Sequence, residues 1–102
     1  MGYRLTITSE PARGAWDLKL TVDLTRAESN DLFLSGDCMV AWPEEGLHQA
    51  GGRRPERTGM FISEVAARPL GLGVRYAKRA QAERAAALLR TQLARAGINE
   101  ES

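Results

Sequence analysis

Residues 78–96 contain no glycine, no proline and a single β-branched residue, Thr91. The stretch is built from Ala, Leu, Arg, Gln and Glu, the strongest helix formers. Placed at about 100° per residue, Ala82, Ala85, Ala86, Leu89, Leu93 and Ala96 share one face, with Leu88 at its edge. Glu83, Arg84, Arg90, Thr91 and Arg95 share the other. Gly97 stands where a helix C-terminus favours a left-handed residue. Ile98 follows in position to touch Leu93, the arrangement of a Schellman stop. One amphipathic helix is therefore expected over residues 77–98, and its alanine-rich face lets the backbone lie close to whatever it packs on. The tail, residues 99–102, has nothing to bury and is expected to fray.

The chain before the helix reads as strands. Tyr3, Leu5 and Ile7 alternate with Arg4, Thr6 and Thr8, and Pro11 and Gly14 mark a turn. Trp16, Leu18, Leu20, Val22 and Leu24 then alternate with Asp17, Lys19, Thr21 and Asp23, the pattern of a half-buried antiparallel strand. Residues 25–31 read as a polar connection. A third strand is expected over 32–42, kinked at Gly36 and Asp37, with Cys38, Val40 and Trp42 on one face. A fourth is expected over 60–67, stopped by Pro69. Residues 70–76 form either a short fifth strand or a coil feeding the helix. The order predicts an α+β fold of two layers: an antiparallel β-meander of four or five strands, with one C-terminal helix on its apolar face. Residues 1–98 make one domain and 99–102 its tail.

Widths add a constraint. Four strands about 4.8 Å apart make a sheet about 19 Å wide, whereas a helix with its side chains is about 10–12 Å across. One helix covers roughly half of the apolar face. Sheet curvature, the long 43–58 loop folded back, or a second subunit must cover the rest, and a homodimer is the favoured expectation.

Composition excludes several classes. With 43% hydrophobic and 26% charged residues and a net charge of +1, no global field draws the chain to nucleic acid or membrane. No apolar run approaches the roughly 18 residues a spanning helix needs, and the first residues lack a signal-peptide core, so a cytoplasmic location is expected. The cations are twelve Arg and two Lys. That bias, with abundant Ala and Gly, fits a GC-rich genome and hence a bacterial or phage source. The single cysteine, Cys38, lies among apolar residues and is expected to be a buried, inert thiol.

Candidate binding residues fall in two basic clusters. The 43–58 loop changes sign along its length, from Glu44 and Glu45 to Arg53, Arg54 and Arg57, and Gly51 and Gly52 free the arginines to reach outward. Arg75, Lys78 and Arg79 flank the helix start after Gly71 and Gly73, where free backbone amides can meet an anion. The dinucleotide fingerprint fails there, since its third glycine would fall at Tyr76. Phe33 and Phe61 lie on the opposite parity to Leu32 and Ile62 and are candidate exposed aromatics, a surface on which single-stranded bases could stack. For enzyme chemistry the material is poor. His48, the only histidine, has no Cys or carboxylate at metal-ligand spacing, and adjacent Glu44 and Glu45 do not define an acid–base pair.

The order of strands followed by a C-terminal helix resembles that of small single-strand-binding dimers of the transcription-coactivator kind, which implies a nucleic-acid surface. The scattered carboxylates argue the other way. The leading expectation is a non-enzymatic binding or regulatory module that contacts another protein or itself through the 43–58 loop and the outer sheet face. The competing expectation is a nucleic-acid-binding protein gripping phosphates with its arginines. No cofactor, metal or membrane is implied.

Overall fold

The computed structural model describes residues 1–47 and 58–101. Strand β1 (Gly2–Glu10) and strand β2 (Ala15–Asp23) pair antiparallel over their whole length, joined by a 3-10 turn at Pro11–Arg13. Helix α1 (Arg26–Ser35) leads to a two-stranded hairpin, β3 (Met39–Ala41) with β4 (Gly59–Phe61). Helix α2 (Ile62–Ala67) continues directly from β4. Strand β5 (Leu72–Tyr76) returns to β2, helix α3 (Arg79–Arg95) crosses the sheet, and β6 (Asn99–Glu100) is the last element. The main sheet has the order β5-β2-β1-β6; β6 runs parallel to β1 and the other pairs are antiparallel.

The alternating residues of β1 and β2 do what their period requires. Tyr3 lies opposite Val22, Leu5 opposite Leu20 and Ile7 opposite Leu18, so one face is apolar from Tyr3 to Ile7. Leu72, Val74 and Tyr76 extend that face onto β5. Helix α3 lies on it with Ala82, Ala85, Ala86, Leu89 and Leu93 all fully buried. Its end follows the Schellman pattern: Gly97 has φ of 79°, Ile98 N donates to Leu93 O at 3.0 Å, and Gly97 N donates to Ala94 O at 3.0 Å. Gly71, at φ of 68°, is held to glycine for a second reason, because a Cβ there would stand 2.2 Å from the Leu20 carbonyl oxygen.

The fold is α+β, but it holds three helices and a mixed sheet in place of a meander with one helix. Residues 26–35 are helical because Thr25 and Glu28 form a capping box: Glu28 N donates to the Thr25 hydroxyl at 3.2 Å and Thr25 N donates to Glu28 at 2.8 Å. The run Leu32-Phe33-Leu34, read as the start of a strand, belongs to this helix. The strand expected over 32–42 shrinks to three residues. The strand expected over 60–67 likewise ends at Phe61, where Ile62 and Val65, at helical spacing, turn into the core.

Two further expectations are corrected. The tail does not fray at residues 99 and 100: Asn99 and Glu100 pair with Gly2 and Tyr3, and Glu101 N donates to Tyr3 O at 2.7 Å. Cys38 is exposed, because it lies in the connection between α1 and β3 and not on the inner face of a strand.

The uncovered half of the sheet face is filled from within the chain. Val40, Trp42, Met60, Ile62 and Val65, from the hairpin and α2, join the same core as the sheet and α3. The hairpin is tied down by Gln92, whose side-chain amide accepts from Ala41 N at 2.8 Å and donates to Ala41 O at 2.7 Å, as a neighbouring strand would.

Candidate functional site

Of the basic residues singled out in the sequence, Arg53, Arg54 and Arg57 lie outside the described residues, as does His48. The other three do not converge. Arg75 projects from β5 onto the outer face of the sheet, opposite Asp17, and binds it through Nε at 2.6 Å and Nη2 at 3.1 Å. This two-point fork satisfies the guanidinium within its own chain. Arg79 sits above the Trp16 ring, 5.5 Å from its centroid, and binds Glu83 one turn on at 3.0 Å. Trp16 shares the strand parity of Leu18 and Leu20, so Arg79 and Arg75 are on opposite sides of the sheet. Lys78 is exposed at the N-cap of α3, where its backbone N–H donates to the Gln81 side chain at 3.1 Å.

The glycine turn expected ahead of the helix is not formed there. Gly71 precedes β5 and Gly73 lies inside it, so the strand separates both from α3. The acidic half of the long loop also has a partner, since Glu45 lies 3.7 Å from Arg84.

The outer sheet face is polar and open. Arg4, Thr6, Thr8, Asp17, Lys19, Thr21 and Arg75 share it. A shallow groove of about 570 Å³ runs along it, lined by Thr6, Thr8, Lys19, Leu70 and the Asp17–Arg75 pair among others. Among the described residues no group of three or more His, Cys, Asp and Glu could hold a metal ion. Among them, too, no helix is long and apolar enough to cross a membrane.

Large apolar side chains are exposed singly at Met1, at Leu88 and at Leu70 beside this groove, and in greater number near the end of α1. Phe33 is 77% and Leu34 83% exposed at the end of α1. Met39 is 53% and Phe61 40% exposed, and these two are directly opposite each other in the β3–β4 hairpin. These side chains come from one stretch, residues 33–39, and from the strand bonded to its end. Helix α1 buries no residue fully; Leu32 alone among its large apolar side chains packs partly against the core. Its position rests on the capping box, on Leu32, and on the Met1 amino group 3.0 Å from Glu28. The Glu28 carboxyl is held below its ordinary pKa, first by the Thr25 backbone N–H and then by that amino group. Asp37, in the turn after α1, accepts from the Ser63 hydroxyl and so links this turn to α2.

Sequence parity singled out Phe33 and Phe61 but missed Leu34 and Met39. The signal for Leu34 was available: once Thr25-x-x-Glu28 is read as a helix start, 33 and 34 point away from the position of Leu32. No protein-family model, curated protein or solved structure matches the chain.

Proposed function

We propose that the chain is a small, non-enzymatic binding module that acts through protein–protein contact, with Phe33, Leu34, Met39 and Phe61 as its contact surface. One observation carries the reading: these large apolar side chains are left in solvent, and two of them sit on a helix that buries no residue fully. Single exposed apolar residues are ordinary on protein surfaces, but a concentration of them in one stretch marks an interaction site. Burying a Phe or Leu side chain fully yields about 1.5–3 kcal/mol. Four such groups, engaged together by a partner, supply the apolar content that the centre of a modest interface uses, with aromatic residues and Met typical of that centre. A regulatory or inhibitory role suits a module whose working part is a surface.

The nucleic-acid alternative has lost part of its support. Arg75 and Arg79 are engaged by Asp17 and Glu83, and they face different sides of the sheet. What remains of it rests on Arg53, Arg54 and Arg57.

The test compares immobilised wild-type protein with the double variant Phe33→Ser, Leu34→Ser against cell extract at low and high salt. The expected result is a discrete protein retained by the wild type at both salts and lost with the variant, whose own folding stability is unchanged. Retention that is indifferent to the variant contradicts the reading. So does binding of nucleic acid that falls steeply with salt and weakens when Arg53 and Arg54 are changed together to Ala.

A further inference from the structure

The two edges of the main sheet are treated differently by the chain. Strand β5 is short, and the first part of the long loop closes its end: Leu47 bridges to Tyr76 and Ala77 N donates to Gly46 O at 2.8 Å. On the other edge, β6 covers only Gly2 and Tyr3 of β1. Among the described residues no strand pairs with the outer edge of β1 from residue 4 to residue 10, although the Arg4 side chain reaches Glu101, just past β6, at 3.5 Å and Asp23 on β2 at 3.9 Å.

The direction of that edge is fixed by one bond. Tyr3 O accepts from Glu101 N, so the backbone groups of Tyr3, and by the period of two those of Leu5, Ile7 and Ser9, point away from β2. Folded proteins usually blunt such an edge with a short strand, a proline, a bulge or an inward charge. Strand β1 has none of these. It runs nine residues in unbroken register with β2, and Leu5 and Ile7 stay partly exposed beside the unpaired backbone groups.

We propose that this edge pairs with β1 of a second copy, antiparallel about a twofold axis at Ile7. The free run from 4 to 10 is centred on Ile7, so using all of it sets the register. Leu5 then faces the partner's Ser9, Thr6 faces the partner's Thr8, and Arg4 faces the partner's Glu10. Opposite charges meet at both ends, where the partner's Glu10 joins Glu101 and Asp23 around the exposed Arg4, and threonines face each other between them. Leu5, Ile7 and Ser9 are the residues whose backbone groups point outward, and in this register they exchange roughly six hydrogen bonds with the partner. A shift toward the N-terminus would collide with β6. Pro11 opens the 3-10 turn at the point where the partner's chain would reach β6. The pairing is isologous and leaves the two apolar faces, each with its α3, on the same side of one continuous sheet. It uses neither Phe33 nor its neighbours and stands or falls independently of the proposed contact surface.

Sedimentation equilibrium of the full chain tests it. The wild type is expected to be a dimer. Arg4→Glu alone or Glu10→Arg alone sets like charges against each other at both ends and should weaken association by about tenfold. The combined R4E/E10R variant should recover it. Ile7→Pro removes an outward N–H and leaves the β1–β2 ladder intact, so it should give a monomer with an unchanged circular dichroism spectrum. The two charge reversals decide the matter on their own if the proline variant unfolds. A wild type that stays monomeric up to millimolar concentration overturns the proposal, as does a dimer that the single reversals leave unchanged or that the double reversal fails to recover.

Discussion

Tyr76 shows how much one side chain can tie together. It is fully buried at the end of β5, lies opposite Trp16, and its hydroxyl donates to the Pro43 carbonyl at 2.9 Å, which anchors the start of the long loop. Burial pushes its phenol up from 10.0 to about 12. The folded state therefore holds this proton more tightly than the unfolded chain does. The stability it contributes is complete below pH 10 and is lost as pH rises from there toward 12. Tyr76→Phe should cost about 1 kcal/mol at neutral pH, the net worth of one hydrogen bond. It should also flatten the alkaline decline, with a remainder from Tyr3, which burial and then Glu100 raise in the same direction. Urea unfolding at neutral and alkaline pH reads both effects. Leu20 and Leu89 probe the packing itself. Each is fully buried, one on β2 and one on α3, and truncation of either to Ala should cost about 2–5 kcal/mol in the same assay. Values near zero at both would mean that the strand and helix faces are inverted.

Among the helices, α1 is held least firmly, because no fully buried side chain commits it to the core, whereas α2 and α3 each have two or more. Thr25→Ala removes the capping hydroxyl and should cost about 1 kcal/mol. That loss should show as faster amide exchange confined to α1, with β2 and α3 unaffected. Acid should act in the same place. Because the Glu28 pKa is lowered on folding, its contribution is present above the ordinary carboxylate value and lost as pH falls through the lowered one. Protection factors along α1, that is, exchange rates relative to the intrinsic rate at each pH, should therefore fall on acidification before those of the core. The same weak commitment explains what the sequence conveys about the elements. β1, β2 and α3 declare themselves because their apolar residues keep a strict period of two, or of 3.6, over many residues. α3 even announces its stop through Gly97 and Ile98. α1 and α2 do not, because Leu32-Phe33-Leu34 and the short run from Met60 to Val65 are apolar without a long enough period to separate helix from strand. Local capping decided both: Glu28 bonds back to Thr25, and Glu64 accepts from Phe61 N at 3.4 Å. The pairing of β6 was illegible for another reason. Two polar residues gain their place by extending the edge of β1, a relation between chain ends that no local pattern encodes.

At the scale of the molecule, the chain covers most of its own apolar sheet face, with Leu5 and Ile7 left partly exposed near the β1 edge. The gap that widths predicted is real for α3 alone, and α2 and the β3–β4 hairpin fill it. A second subunit is not required to cover that face. The surface then divides into a polar sheet face with an internal Asp17–Arg75 pair, an unpaired β1 edge, and the apolar end of α1 with its neighbouring hairpin. Of the residues chosen from sequence, Arg75, Lys78 and Arg79 prove not to form one cluster, because strand parity separates Arg75 from Arg79 and each has a carboxylate partner. Phe33 and Phe61 do lie in solvent, although Phe33 does so on a helix and not on a strand. The most direct test of the contact surface is site-specific photo-crosslinking in living cells, with a photoreactive phenylalanine analogue at Phe33 and, separately, at Lys19 on the outer sheet face. A discrete protein adduct from position 33 and none from position 19 is the expected result. An adduct from position 19 with none from position 33 would contradict the assignment and move the working surface to the polar face of the sheet.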